Sequence, residues 1–139
     1  MKDNSGFTLI ELIIVIAILA IISAIAIPNI IFAVDNARIA TDLSNAKVIA
    51  DSFQIVISKD NDVNRVDFTD KEFTKTSSEA GALKELIEAA AMEIQSVPMI
   101  KHGPDSGSSF NVTIGGSSGI VVKAGATEIY PNPQGAWAY

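Results

Sequence analysis

The run from Leu12 to Val34 constrains this chain more than any other feature. Its only non-apolar residues are Ser23, Pro28 and Asn29. As an α-helix the run would be roughly 34 Å long, enough to cross a hydrocarbon core of about 30 Å. A cleaved secretory signal is the obvious rival. Such a signal has a shorter apolar region that ends at a small-residue cleavage site. Here the run passes through Pro28-Asn29 and continues apolar. Lys2 and the α-amine favour a cytoplasmic N-terminus, with Asp3 opposing them. Glu11 stands at the start of the run. A carboxylate is costly in lipid, so one found there is either interfacial or functional.

After Val34 the pattern changes without a break. Ile39, Leu43, Ala46, Ala50, Phe53 and Ile57 recur at helical spacing, flanked by Ile49 and Val56. Asp35, Arg38, Asp42, Lys47 and Asp51 fall mostly off this stripe. The spacing predicts one helix from about Phe7 to Ser58, about 75–80 Å long if straight. Residues 7–34 form its apolar half and residues 35–58 its amphipathic half. A globular head would then occupy residues 35–139.

Residues 59–73 read as a polar connector. Asp60, Asp62 and Asn64 show the alternating oxygens of a calcium loop, but position six is Arg65 rather than Gly and position twelve is Lys71 rather than Glu. A solvated loop is the preferred reading, and no metal is assigned. Thr76 and Glu79 form a T-x-x-E capping pattern ahead of a second helix within 76–95. Leu83, Leu86, Ile87, Ala90 and Ile94 supply its apolar side, and Met92 and Met99 read as core filler. Over 109–130 the period becomes two. Phe110, Val112 and Ile114 alternate with polar residues, "GGSSG" at 115–119 turns the chain, "IVVKA" returns, and a third strand covers Thr127–Tyr130. This predicts a small antiparallel meander that receives the helical stripe. The tail, 131–139, has no periodic pattern, and Trp137 and Tyr139 are candidates to clamp it onto the sheet. The fold class is therefore α+β, a long N-terminal helix on a small antiparallel sheet.

Composition removes several functions. The chain has no cysteine, which excludes disulfides, thiolate catalysis and cysteine-ligated metals. One histidine, His102, cannot form a histidine-rich metal site alone, and beside Gly103-Pro104 it reads as a surface loop residue. A net charge of −6 disfavours nucleic acid as a partner. No spacing of carboxylates marks an acid/base pair, and the serines lie in turns without a nucleophile elbow. Neither an enzyme nor a cofactor is expected.

The string Gly6-Phe7-Thr8-Leu9-Ile10-Glu11, opening an apolar helix that carries Pro28, resembles the N-terminus of type IV pilins and their relatives. Those proteins have a short leader ending in Gly, then Phe-Thr-Leu-x-Glu, and often a proline at the place of Pro28. The resemblance is close over residues 5–29; beyond them only the layout matches, which makes the expected fold pilin-like. It implies that a membrane-embedded prepilin peptidase removes residues 1–6 by cutting between Gly6 and Phe7, and methylates the new amine of Phe7. Glycine offers no side chain to obstruct a protease that binds extended backbone. The resemblance further implies that Glu11 pairs with the terminal amine of a neighbouring subunit. Apolar packing would supply the attraction, and the charge pair would select the axial stagger, because a misplaced subunit leaves a buried charge unpaired. Pro28 either kinks a continuous helix or marks a segment that unwinds on packing. Members that unwind often carry glycine near the position held here by Ala20.

The implied function is that of a structural subunit of a type IV pilus, a surface filament for adhesion, motility or biofilm formation. The precursor would span the cytoplasmic membrane once and then enter an extracellular filament. Its partners would be copies of itself in a helical filament, the prepilin peptidase, and the assembly platform with its ATPase. A type II secretion pseudopilin and a competence pilin for DNA uptake are the alternatives within the superfamily. The tail lacks the acidic calcium loop frequent in major pseudopilins, and the acidic charge disfavours direct DNA binding. Relatives that initiate at the tip commonly lack the carboxylate matched by Glu11. Outside the superfamily, a single-pass anchored binding domain that never polymerises would keep residues 1–6. Family members often lock the tail with a disulfide, which this chain cannot form.

Overall fold

A computed structural model describes residues 7–59, 67–115 and 119–137. Its elements run in the order α1 (Leu9–Lys59), β1 (Phe68–Glu72), α2 (Ala82–Met92), β2 (Asn111–Ile114), β3 (Ile120–Ala124) and β4 (Thr127–Tyr130), with a 3₁₀ turn at Gly135–Trp137. The chain divides into two compact units, and the boundary between Asn36 and Ala37 falls inside α1.

The first unit is the apolar part of α1. Apart from the half-buried Ala26 and Asp35, its described residues are exposed. α1 is long and apolar enough to cross a membrane. No part of its most apolar stretch is buried within the chain.

The second unit is an α+β head. The sheet is antiparallel with strands in sequential order, β1-β2-β3-β4. β2 and β3 pair in unbroken register, Val112 opposite Val122 and Ile114 opposite Ile120. β1 pairs with β2 through a bulge between Phe68 and Lys71, and Asp70 there takes φ 56°. β3 and β4 pair with a second irregularity after Val122. Residues 37–59 of α1 pack in the same core as the sheet and α2. Ala46, Ile49, Ala50, Phe53 and Val56 join Leu86, Ile87, Ala90, Phe110, Val112, Val122 and Ile129 there. Phe53 lies 5.5 Å from Phe73 and 6.1 Å from Phe68, centroid to centroid, tilted against both. Burying such side chains contributes about 1.5–3 kcal/mol each and dominates the stability of a chain without disulfides.

The helical stripe packs as the spacing predicts, but its centre is displaced. Ile49 and Val56 lie in the core, while Ile39, Leu43 and Ile57 sit at its margin. Asp42, expected off the stripe, is fully buried on it. The three-stranded meander is a four-stranded sheet, because residues 68–72 of the expected connector form β1. That strand is short, bulged and at the edge, so no alternation announced it. α2 is shorter than the 76–95 expected for it. Gly81 precedes it at φ 66°, ψ −149°, which is not a helical conformation, and no side chain caps it. Glu79 is instead held by Lys71 at 3.0 Å, and its amide donates to Ser77 Oγ. Met92 is 80% exposed and Met99 about half exposed, so neither fills the core. Met92 falls at the end of α2, beyond its buried face. His102 is half-buried rather than a surface residue, with the edge of its ring on Trp137 at 5.4 Å and 90°.

Trp137 is 5% exposed and holds the tail as expected. The tail leaves β4 through a cis Tyr130–Pro131 bond, and Gln134 N–H donates to the Glu128 carbonyl at 2.9 Å. Tyr139, the other expected clamp, lies outside the described residues. The β3–β4 turn needs Gly125, at φ 57°, since a Cβ there would run into the Asp105 carboxylate.

Candidate functional site at the start of α1

Phe7, Thr8 and Glu11 are described; Gly6 lies outside the described residues. Phe7 is 87% exposed. The first turn of α1 begins when Leu12 N–H donates to the Thr8 carbonyl at 3.3 Å. That bond makes Thr8 the N-cap and Glu11 the third helical residue. Their side chains then bond reciprocally. Thr8 N–H donates to Glu11 Oε2 at 2.8 Å, and Glu11 N–H donates to Thr8 Oγ1 at 3.4 Å. The Thr8 hydroxyl also donates to Glu11 Oε2, at 2.6 Å. This is a capping box, in which two amides without helical partners are satisfied by two side chains. A carboxylate in the first turn also faces the positive end of the helix dipole.

The box gives Glu11 a local structural reason that the sequence reading did not supply. The cue was present, because Thr8-x-x-Glu11 has the same spacing as Thr76-x-x-Glu79. Only the first of the two closes.

Further along, Pro28 sits inside a helix assigned without interruption. It has no N–H for the Ala24 carbonyl. One residue on, Asn29 Nδ2 donates back to the Ile25 carbonyl at 3.2 Å, an added bond beside the gap. The exposed residues around these polar positions include Leu12, Ile16, Leu19, Ile22, Ile31 and Phe32. The segment thus joins a broad apolar surface to one carboxylate near its end.

The head offers little by comparison. Its polar crevice between Glu72, Thr76, Ser77 and Glu79 has a volume of about 180 Å³. Among the described residues, no three His, Cys, Asp or Glu side chains are grouped to hold a metal. The calcium candidates Asp60, Asp62 and Asn64 lie outside the described residues.

A family model for the prokaryotic N-terminal methylation motif matches residues 1–27. The N-terminus is type IV prepilin-like, and a long helix packed on a four-stranded antiparallel sheet is a pilin-like fold. The chain is also similar to the prepilin peptidase-dependent protein A of Clostridium perfringens (strain 13 / Type A). The two are 29% identical over 122 residues, which cover 88% of this chain and 86% of the relative. No solved structure matches it significantly.

Proposed function

We propose that this protein is the structural subunit of a type IV pilus. It is made as a single-pass membrane precursor and cut by a prepilin peptidase between Gly6 and Phe7. The new amine of Phe7 is methylated, and the subunit assembles with copies of itself through the apolar part of α1. In the filament, Glu11 pairs with the Phe7 ammonium of a neighbour. Assembly is driven by the platform and ATPase of the pilus machinery.

The observation that carries this reading is the exposed apolar surface of residues 7–34 with a carboxylate in its first turn. In an isolated anchor the carboxylate would do no more than cap its own helix. A subunit that must find one axial position among equivalent apolar contacts needs both the surface and the charge, because a misplaced neighbour leaves the charge without its mate. The motif match over residues 1–27 and the peptidase dependence named in the Clostridium relative support the processing step.

The test is the mass of the cellular protein together with electron microscopy of sheared surface material. The expected result is an N-terminus at Phe7, heavier by one methyl, in long extracellular filaments. A protein that retains Met1–Gly6 and stays solitary in the membrane would refute the proposal. Filaments confined to the periplasm would favour a pseudopilin.

A further inference from the structure

The contacts of Glu11 divide unequally between its two oxygens. The Thr8 amide and the Thr8 hydroxyl both donate to Oε2, at 2.8 and 2.6 Å. Among the described residues no donor is seen at Oε1. An ionised carboxylate has about four lone-pair sites over its two oxygens, so Oε1 can still accept strong bonds. We infer that Thr8 is a positioning residue for assembly: it fixes Glu11 through Oε2 and leaves Oε1 for the cation of a second copy of this chain. This rests on the reading of the protein as a filament subunit.

Three physical points support the inference. A polar group in an apolar medium is costly unless it is hydrogen-bonded. Before assembly Glu11 has no neighbour, and the box supplies two donors from its own chain, so the lone subunit does not carry a bare anion in lipid. Second, a glutamate on an open helix surface samples several rotamers, and fixing them on binding costs free energy. The box fixes them beforehand, so the arriving ammonium meets a carboxylate already in place. Third, the proposed cut puts an ammonium one residue before the N-cap, at the positive end of the helix dipole, where a cation is unfavourable. A carboxylate fastened in the first turn offsets this and keeps the end of the mature helix from fraying.

The threonine hydroxyl suits the task because it donates to Oε2 while its lone pair accepts Glu11 N–H. Serine can do the same, and valine has the shape of threonine but neither function.

Two measurements test the inference. In detergent micelles, nuclear magnetic resonance of the full chain should show the Thr8 amide exchanging with solvent about tenfold more slowly than in Glu11→Ala, which removes its acceptor. Equal rates would mean that the box does not exist. In cells, Thr8→Val should be cut and methylated normally, yet yield about tenfold fewer sheared filaments, as expected for the loss of one charge-assisted hydrogen bond. Thr8→Ser should restore the yield to within about twofold of wild type. Wild-type yield from Thr8→Val, or an equal loss from Thr8→Ser, overturns the positioning role. So does a Thr8→Val precursor that stays uncut, which would assign Thr8 to peptidase recognition. Wild-type cells without filaments would sink the subunit reading and this role with it, while the exchange measurement would still decide the box.

Discussion

Asp42 is completely buried, yet both of its oxygens are used. Oδ1 accepts Lys101 N–H at 2.8 Å and Oδ2 accepts His102 N–H at 2.9 Å. The carboxylate thus fastens a loop 59 and 60 residues away to the core face of α1. Replacing it by alanine leaves two buried amides without acceptors. We expect Asp42→Ala to destabilise the head by about 3 kcal/mol, read as a lower denaturation midpoint of the purified protein. An unchanged midpoint would show that the staple is dispensable. Glu11 has the same chemistry in a different setting, where its partner is three residues away and its proposed mate is another subunit. Glu11→Val should still be inserted and cleaved but should assemble poorly; abundant normal filaments from that variant would remove the case for a register charge. Gly6→Val should accumulate as an uncut precursor, and normal processing would show that the cut lies elsewhere.

α1 is one helix in two environments, and its sequence shows the change. Up to Val34 it is apolar on all sides, and beyond Val34 its apolar residues narrow to one stripe. Periodicity identifies the stripe but not its centre, which depends on what packs there. Phe68, at the start of β1, and Phe73, just past its end, close over Phe53, in the core that Ile49 and Val56 share. β1 itself was illegible for a related reason. A short edge strand with a bulge owes its conformation to the ladder it joins, here β2, rather than to its own pattern. The two T-x-x-E pairs make the same point at helix starts. Thr8 has an unopposed glutamate three residues on. Glu79 is held by Lys71, and Gly81 takes a backbone conformation that delays α2. Pro28 provides a test within α1. Pro28→Ala restores the bond to the Ala24 carbonyl, so amide exchange of residues 25–29 in micelles should slow by at least roughly tenfold. No change would mean that the proline does not weaken the helix there.

The head has no disulfide to hold its C-terminal tail, and packing takes that role. Trp137 is the anchor, set against His102 and within 3.8 Å of where a Cβ on Gly103 would lie. Trp137→Ala should cost about 3–5 kcal/mol and expose residues 131–137 to proteolysis well below the global transition. Trp137→Phe should be milder, because among the described residues the indole Nε1 has no partner to lose. Equal protease resistance of Trp137→Ala and wild type would show that the tail is held by other contacts.

The span, its anomalous carboxylate, the proline, the amphipathic continuation of α1 and the β2–β3–β4 meander could all be read before any coordinates, since each rests on a local period or an uninterrupted run. The staple at Asp42, the edge strand, the late start of α2, the exposure of Met92 and the contact of Trp137 with His102 could not. Each depends on which groups meet across tens of residues, and a linear pattern records what a side chain prefers but not the partner that folding brings to it.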